Sequence, residues 1–344
     1  VREVQIMEEK KKFGDYRDNE EVLRIEDLVV HYETIDGVAE ALNGINLTLR
    51  RGEALGLVGE TGAGKTTIAL SIMHLLPVPP SHVIQGKIYL DGKDMDEMSK
   101  KELRDIRGKK VAMIFQDPMT ALNPVMTVGT QIAEVVRLHD HVSKAEAMLR
   151  AQEMLRIVGI PETRANEYPH QFSGGMKQRV IIAMALACDP EILLADEPTT
   201  ALDVTIQAQV LELMRNLQRD FNTALIMITH DFGVVADICH TCAVIYAGEI
   251  VEYGTLEQIF DNPQHPYTKG LFGSLPSLDK DVERLDSIRG LMSDPMDLPK
   301  YCSFYDRCDF CSEECKKCNP RTVEVEPGHL VKCVKFHDKE GAAV

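Results

Sequence analysis

The chain has 344 residues, 44% hydrophobic and 27% charged, with a formal net charge of −16. Such a composition describes an ordinary globular protein with room for one large domain and a small one, or two of medium size. The acidic balance excludes a general nucleic-acid binder, and the longest apolar run, Val180 to Cys188, is far short of the roughly 18 residues of a membrane span.

Residues 1–20 hold runs such as Glu8-Glu9-Lys10-Lys11-Lys12 with few apolar anchors, and a flexible, solvated tail is expected. Charge begins at Arg2 with no apolar signal core behind it, which points to a cytoplasmic protein. From Val22 the pattern changes to alternating runs, Val22–Tyr32 and Ala39–Arg50, broken near Asp36-Gly37; these predict antiparallel strands. Tyr32 closes the first run, where an aromatic ring can stack on a purine or simply pack at a strand end.

The next stretch is the most informative. Gly59, Glu60, Thr61, Gly62, Ala63, Gly64, Lys65, Thr66 and Thr67 follow the apolar run Glu53–Val58 and precede a predicted helix, Ile68–Leu76, stopped by Pro77. The glycine spacing lets consecutive N–H groups converge on phosphate oxygens at the positive end of that helix. Lys65 supplies a mobile charge for β and γ phosphates, and the Thr66 hydroxyl suits Mg²⁺. A nucleoside triphosphate site is implied.

Further on, Gly86–Asp91 and Val111–Phe115 read as strands, with Gln116 at the end of the second. From Asp117 to about Val180 the character is helical, including a capping-box sequence, Ser143 to Glu146, that opens a helix closing at Gly159. Ile192–Ala195, Ala224–Thr229 and Ala243–Tyr246 are apolar strands, alternating with helices over Asp203–Leu217 and Asp231–Cys239. Buried strands alternating with helices indicate a mostly parallel sheet that gathers ligands at strand C-terminal ends. Gly59, Gln116, Asp196, Glu197 and His230 all fall at such ends. Asp196 is placed to hold Mg²⁺, which Gln116 could also contact. Glu197 is the candidate general base, and His230 could orient it or donate to the γ-phosphate. Ser173-Gly174-Gly175 opens another helix and forms a second anion site, which one nucleotide does not need but a head-to-tail dimer does.

With these motifs the chain resembles an ATP-binding-cassette ATPase over nearly its whole length. Gly59–Thr66 matches the Walker A motif, Gln116 the Q-loop, and Ser173–Gln178 the signature motif, with Met176 where the family usually has glutamine. Ile192–Asp196 matches Walker B, Glu197 the catalytic glutamate, Ala201-Leu202-Asp203 the D-loop, His230 the switch histidine and Tyr32 the adenine-stacking aromatic. The resemblance implies an α/β P-loop fold: a mostly parallel core sheet, an N-terminal antiparallel β-subdomain, a helical subdomain at about 117–180, and a small cysteine-rich C-terminal extension. On this reading residues 21–270 form the nucleotide-binding domain and 271–344 the extension.

His265-Pro266-Tyr267-Thr268-Lys269-Gly270-Leu271 is similar to the stretch that follows the cassette in peptide-importer ATPases. Six of the nine cysteines crowd between Cys302 and Cys333, which in a chain read as cytoplasmic suggests metal more than disulfides. The resemblance implies a [4Fe–4S] cluster on Cys302, Cys308, Cys315 and Cys333. Zinc and unliganded thiols remain alternatives, although the two close pairs Cys308/Cys311 and Cys315/Cys318 stand only three residues apart, cramped for a zinc ribbon. The implied protein is a peripheral ATPase on the cytoplasmic face of the membrane, using ATP and Mg²⁺ to drive dipeptide or oligopeptide uptake. Its implied partners are two transmembrane permease subunits, docked near Asp117–Pro124, and a second ATPase subunit, a paralogue or a copy. An extracytoplasmic solute-binding protein would act indirectly, and no nucleic acid is involved. Nickel or oligosaccharide import, and a soluble non-transport ATPase, are the alternatives.

Overall fold

The computed structural model describes residues 20–200, 202–274 and 288–337. The expected N-terminal tail lies outside these residues except for Glu20, as does Ala201 of the expected D-loop. In chain order the elements begin with β1 (Glu21–Thr34), β2 (Gly37–Arg50), β3 (Ala54–Val58), α1 (Lys65–Ile72), β4 (Ser81–Leu90), β5 (Lys93–Asp94), α2 (Lys100–Ile106), β6 (Val111–Ile114) and α3 (Pro118–Ala121). There follow α4 (Val128–Asp140), α5 (Lys144–Ile157), α6 (Gly174–Leu186), β7 (Ile192–Asp196), α7 (Val204–Phe221), β8 (Ala224–Thr229) and α8 (Phe232–Ile238). The last are β9 (Thr241–Tyr246), β10 (Glu249–Thr255), α9 (Leu256–Asp261), α10 (Pro266–Gly273), β11 (Thr322–Glu326) and β12 (His329–Lys332).

The described chain divides into two compact units, the first holding residues up to 24, 48–54 and 89–227, the second 25–47, 55–88 and 228 onward. In the first unit β6 pairs parallel with β7, Val111 opposite Ile192, and β8 lies on the other side of β7. Every residue of β7 is buried, as expected of a strand covered on both faces. Helices α3 to α6 follow β6 as anticipated. Helix α5 starts on half of the expected capping box: the Ser143 hydroxyl accepts the Glu146 N–H, while the reciprocal bond is not made. A full capping box occurs instead at α2, between Ser99 and Glu102, where the sequence reading placed no helix.

In the second unit β3 pairs parallel with β9, and the strands run in the order β11-β12-β10-β9-β3. Strands β1 and β2, joined by a two-residue turn at Ile35-Asp36, are neighbours in a separate sheet. The described part of the cysteine-rich segment joins the sheet of the second unit. Its strands β11 and β12 extend the β10 edge antiparallel, with Glu252 opposite Val331, and close a small core of Val323, Val331 and Phe336. The turn between them is Pro327-Gly328, with Gly328 in the left-handed region.

That junction is sealed by a buried charged group. Glu252 is 1% exposed, and its Oε1 lies 2.8 Å from Nε2 of the fully buried His329. Its carboxylate also accepts the N–H groups of Gln264 at 2.6 Å and His265 at 3.0 Å. Burial alone would raise the Glu252 carboxyl, but hydrogen bonds from His329 and these amides hold it below its ordinary value. A carboxyl depressed in the folded state adds stability above its unfolded pKa, and that stability is lost as pH falls through the folded value. Urea unfolding should therefore show resistance dropping as the pH falls below 4.5. Glu252→Gln should flatten that drop and cost about 1–3 kcal/mol at neutral pH; an unchanged acid limb would refute the assignment.

Candidate functional site

In the second unit, buried β3 delivers the chain to Gly59 at its C-terminal end. A side chain at Gly59 could not be housed, because a Cβ there would stand 2.2 Å from the Ile245 carbonyl oxygen of β9. Gly64, at φ 106°, turns the loop into α1 from a left-handed conformation open to glycine. The first turn of α1 carries no acidic residue, so its positive end faces the loop unopposed by a carboxylate of its own. Lys65 is buried, and its Nζ folds back to donate to the carbonyls of Gly59 at 2.7 Å and Glu60 at 3.0 Å. Thr66 is exposed beside it, while Ala63 is buried and donates its N–H to the Glu60 carbonyl at 3.2 Å. This is a closed cradle of loop backbone with one ammonium group, suited to a polyphosphate.

Two side chains that the sequence reading missed support the loop. The Tyr267 hydroxyl accepts the Glu60 N–H at 3.0 Å, and Arg307 pairs with both carboxylate oxygens of Glu60, at 2.6 and 2.9 Å. Neither shows a local signal, because the partners are more than two hundred residues apart. Tyr32 lies near the end of β1, half-buried. His230 follows β8 directly and is exposed, and the next residue, Asp231, caps α8 by accepting the Gly233 N–H at 2.8 Å.

The first unit brings together Gln116, Asp196 and Glu197. Asp196 ends β7 and is 3% exposed, and Glu197 then adopts φ 45°. That left-handed conformation is unfavourable for a side chain by about 1–2 kcal/mol. Gln116 Nε2 donates to Glu197 Oε2 at 2.9 Å, and the Thr200 hydroxyl donates to the same oxygen at 3.0 Å. Thr200 was not singled out from sequence. Gln116 thus engages the candidate base rather than standing apart from it.

Ser173 is the exposed N-cap of α6, its hydroxyl accepting the Met176 N–H at 3.4 Å. A Cβ on Gly175 would meet Ile206 at 2.3 Å, so α6 and α7 approach through this glycine, and Gly174 is exposed. Met176 turns its sulfur to Arg164, whose Nη1 lies 3.3 Å away and whose guanidinium stacks 4.3 Å over Phe172. Asp203 caps α7 through the Ile206 N–H at 3.0 Å.

Back in the second unit, Cys302, Cys308, Cys311, Cys315 and Cys333 line one cavity of about 520 Å³, together with Phe304, Tyr305 and Phe310. Cys318 is exposed and does not line it. Burial pushes the Cys302 thiol up to about 12 and Cys308 to about 11, and raises Cys333. Among the described residues no three or more Cys, His, Asp or Glu groups converge closely enough to hold a metal ion. The thiols line a space rather than converging on a point.

A family model described as "ABC transporter" matches residues 42–200, and one described as "Oligopeptide/dipeptide transporter, C-terminal region" matches 251–315. The chain is 48% identical over 319 residues to the oligopeptide transport ATP-binding protein OppD of Bacillus subtilis, covering 92% of this chain and 89% of that protein. The dipeptide transport ATP-binding protein DppD of the same organism is 48% identical, over 91% of this chain and 94% of that one. OppD of Escherichia coli is 47% identical, over 91% and 93%. Among solved structures, the dimeric post-hydrolysis state of the ATP-binding cassette MJ0796 bound to ADP and Pi is similar, with a TM-score of 0.61 and 29% identity. It covers 68% of this chain and 98% of its own.

The Gly59 contact gives a direct test of the loop. Gly59→Ala must displace the Ile245 backbone, at a cost of about 1–3 kcal/mol. Equilibrium denaturation of the variant should show that loss, whereas an unperturbed midpoint would mean that the loop is not wedged against β9.

Proposed function

The chain belongs to the ABC transporter family of ATP-binding proteins, and we propose that it is the ATP-hydrolysing subunit of a membrane importer of dipeptides or oligopeptides. The observation that carries this reading is the match to peptide-transport ATP-binding proteins at 48% identity over 92% of the chain, C-terminal region included.

On this reading each site residue takes a role. The backbone of Gly59–Thr67 binds the phosphates, with Lys65 turning from the loop carbonyls to the β and γ oxygens. Tyr32 offers a ring for the adenine. Thr66 and Asp196, with Gln116, are the groups to hold Mg²⁺, which when bound neutralises charge on the phosphates. Glu197 takes a proton from the water that attacks the γ-phosphorus, as the bond to the ADP oxygen breaks. Its carboxylate is oriented by Gln116 and Thr200. His230 donates to the γ-phosphate. Ser173, Gly174 and Gly175, with Asp203, serve the nucleotide of a second ATPase subunit, a copy or a paralogue, in a closed dimer.

Among the described residues no helix is long and apolar enough to cross a membrane. The subunit would act peripherally, docked on two permease subunits near Asp117–Pro124. ATP binding closes the dimer and hydrolysis reopens it, and the permeases convert this cycle into uptake from a solute-binding protein.

For the cysteine-lined cavity we propose a [4Fe–4S] cluster held by Cys302, Cys308, Cys315 and Cys333. The four thiols line one cavity of about 520 Å³, room enough for a multinuclear group. Such a cluster would supply a structural cross-link there. Cys311, although it lines the cavity, is the exposed alternative.

Two measurements test these assignments. Glu197→Gln should bind ATP normally yet hydrolyse it on the order of 10²-fold more slowly in the reconstituted transporter; near-normal turnover would displace Glu197 as the base. Anaerobically purified chain should be brown and contain about four irons. Serine at Cys302, Cys308, Cys315 or Cys333 should bleach it, and at Cys311 or Cys318 should not. Colourless protein with stoichiometric zinc would overturn the cluster.

A further inference from the structure

The second unit contains a charged pair that the proposed reaction does not use. The side chain of Arg307 is only 6% exposed. Its Nη1 and Nη2 donate to Glu60 Oε2 and Oε1 at 2.6 and 2.9 Å, and its Nε donates to the Arg289 carbonyl at 2.9 Å. The guanidinium stands 5.7 Å from the centre of the Tyr246 ring. A planar fork engaged on two edges and flanked by an aromatic ring has little freedom to reorient.

Glu60 is the second residue of the phosphate loop, and each of its polar groups is held. Arg307 takes the carboxylate, Tyr267 the N–H, and Lys65 the carbonyl. When Lys65 turns to a phosphate, Arg307 and Tyr267 remain to keep this peptide in place. The pair also settles an electrostatic difficulty, since a carboxylate in a polyphosphate cradle repels its ligand unless a cation neutralises it.

We infer that Arg307 is a positioning residue for nucleotide binding, which fixes the curvature of Gly59–Lys65 in advance and neutralises Glu60 beside the phosphates. The inference rests on the reading of Gly59–Thr67 as the ATP site. Preorganisation of this kind appears in affinity, because less ordering remains to be done on binding.

The test is equilibrium titration of the full chain with a fluorescent ATP analogue, with thermal unfolding followed in parallel. Arg307→Ala should weaken binding on the order of tenfold in the native background and less than twofold in the Glu60→Gln background, because the two residues act as one unit. Arg307→Lys, which keeps the charge but not the fork, should weaken it about threefold and carries the test if Arg307→Ala does not fold. A purely structural role would lower the unfolding temperature and leave the affinity unmoved. Unchanged affinity in Arg307→Ala, or the same factor in both backgrounds, overturns the inference. Saturable binding lost in Lys65→Ala but indifferent to Arg307 leaves the ATP site standing and removes only the positioning role. Absence of saturable binding to the native chain overturns both.

Discussion

The second unit depends on one close approach, that of the Gly59 backbone to the Ile245 carbonyl of β9. A phosphate loop needs its N–H groups turned inward in a shape that a free chain does not keep. Here that shape is imposed from outside the loop. β9 presses on Gly59, and the turn after it supplies Gly248, whose N–H bonds the Ala63 carbonyl at 3.0 Å. β2 braces the same turn, since the Asn43 amide donates to the Ala247 carbonyl at 3.1 Å and the Asn43 N–H to that of Gly248 at 2.8 Å. The loop is thus the meeting point of three strands, and its rigidity belongs to the sheet as much as to its own sequence.

The first unit meets a different demand, that of aiming a carboxylate. A buried strand fixes Asp196, and the chain then turns through a left-handed residue to present Glu197. Two donors on one oxygen, Gln116 and Thr200, define the direction of the carboxylate.

What the sequence made legible follows from range. The phosphate loop, the strand ending at Asp196 and the serine–glycine helix start are encoded within a few residues each, and glycine spacing and apolar runs expose them. Tyr267 and Arg307 act on Glu60 across 207 and 247 residues, a pairing that no local pattern carries. Thr200 lay close enough to be found, three residues past Glu197, but a threonine after a proline turn has many uses. The substitution at Met176 also becomes intelligible only in three dimensions, where its sulfur faces Arg164, itself held by Phe172 and Glu167. Strands β11 and β12 were missed because Arg321–Lys332 mixes charge with valine, and its β character is settled by pairing with β10 rather than by propensity.

The C-terminal cysteines are best understood through what their segment lacks. Among the described residues its strands close a core of three buried side chains, with Val325 and Cys333 against them. Phe304 is buried apart from these, against Tyr246 and Tyr267. Together they are too few to order some fifty residues. Two kinds of anchor make up the deficit. One is ionic and lies at the sheet: Lys332 donates to Glu249 Oε1 at 2.6 Å, and His329 meets Glu252. The other is the single turn of Tyr305–Arg307, whose flanking residues Cys302 and Cys308 face the cavity while Arg307 reaches the phosphate loop. Successive bonds from the N–H groups of Tyr305 to Cys302, Arg307 to Phe304 and Cys308 to Tyr305 close that turn, so cavity-lining cysteines and the arginine that meets Glu60 belong to one short hydrogen-bonded segment.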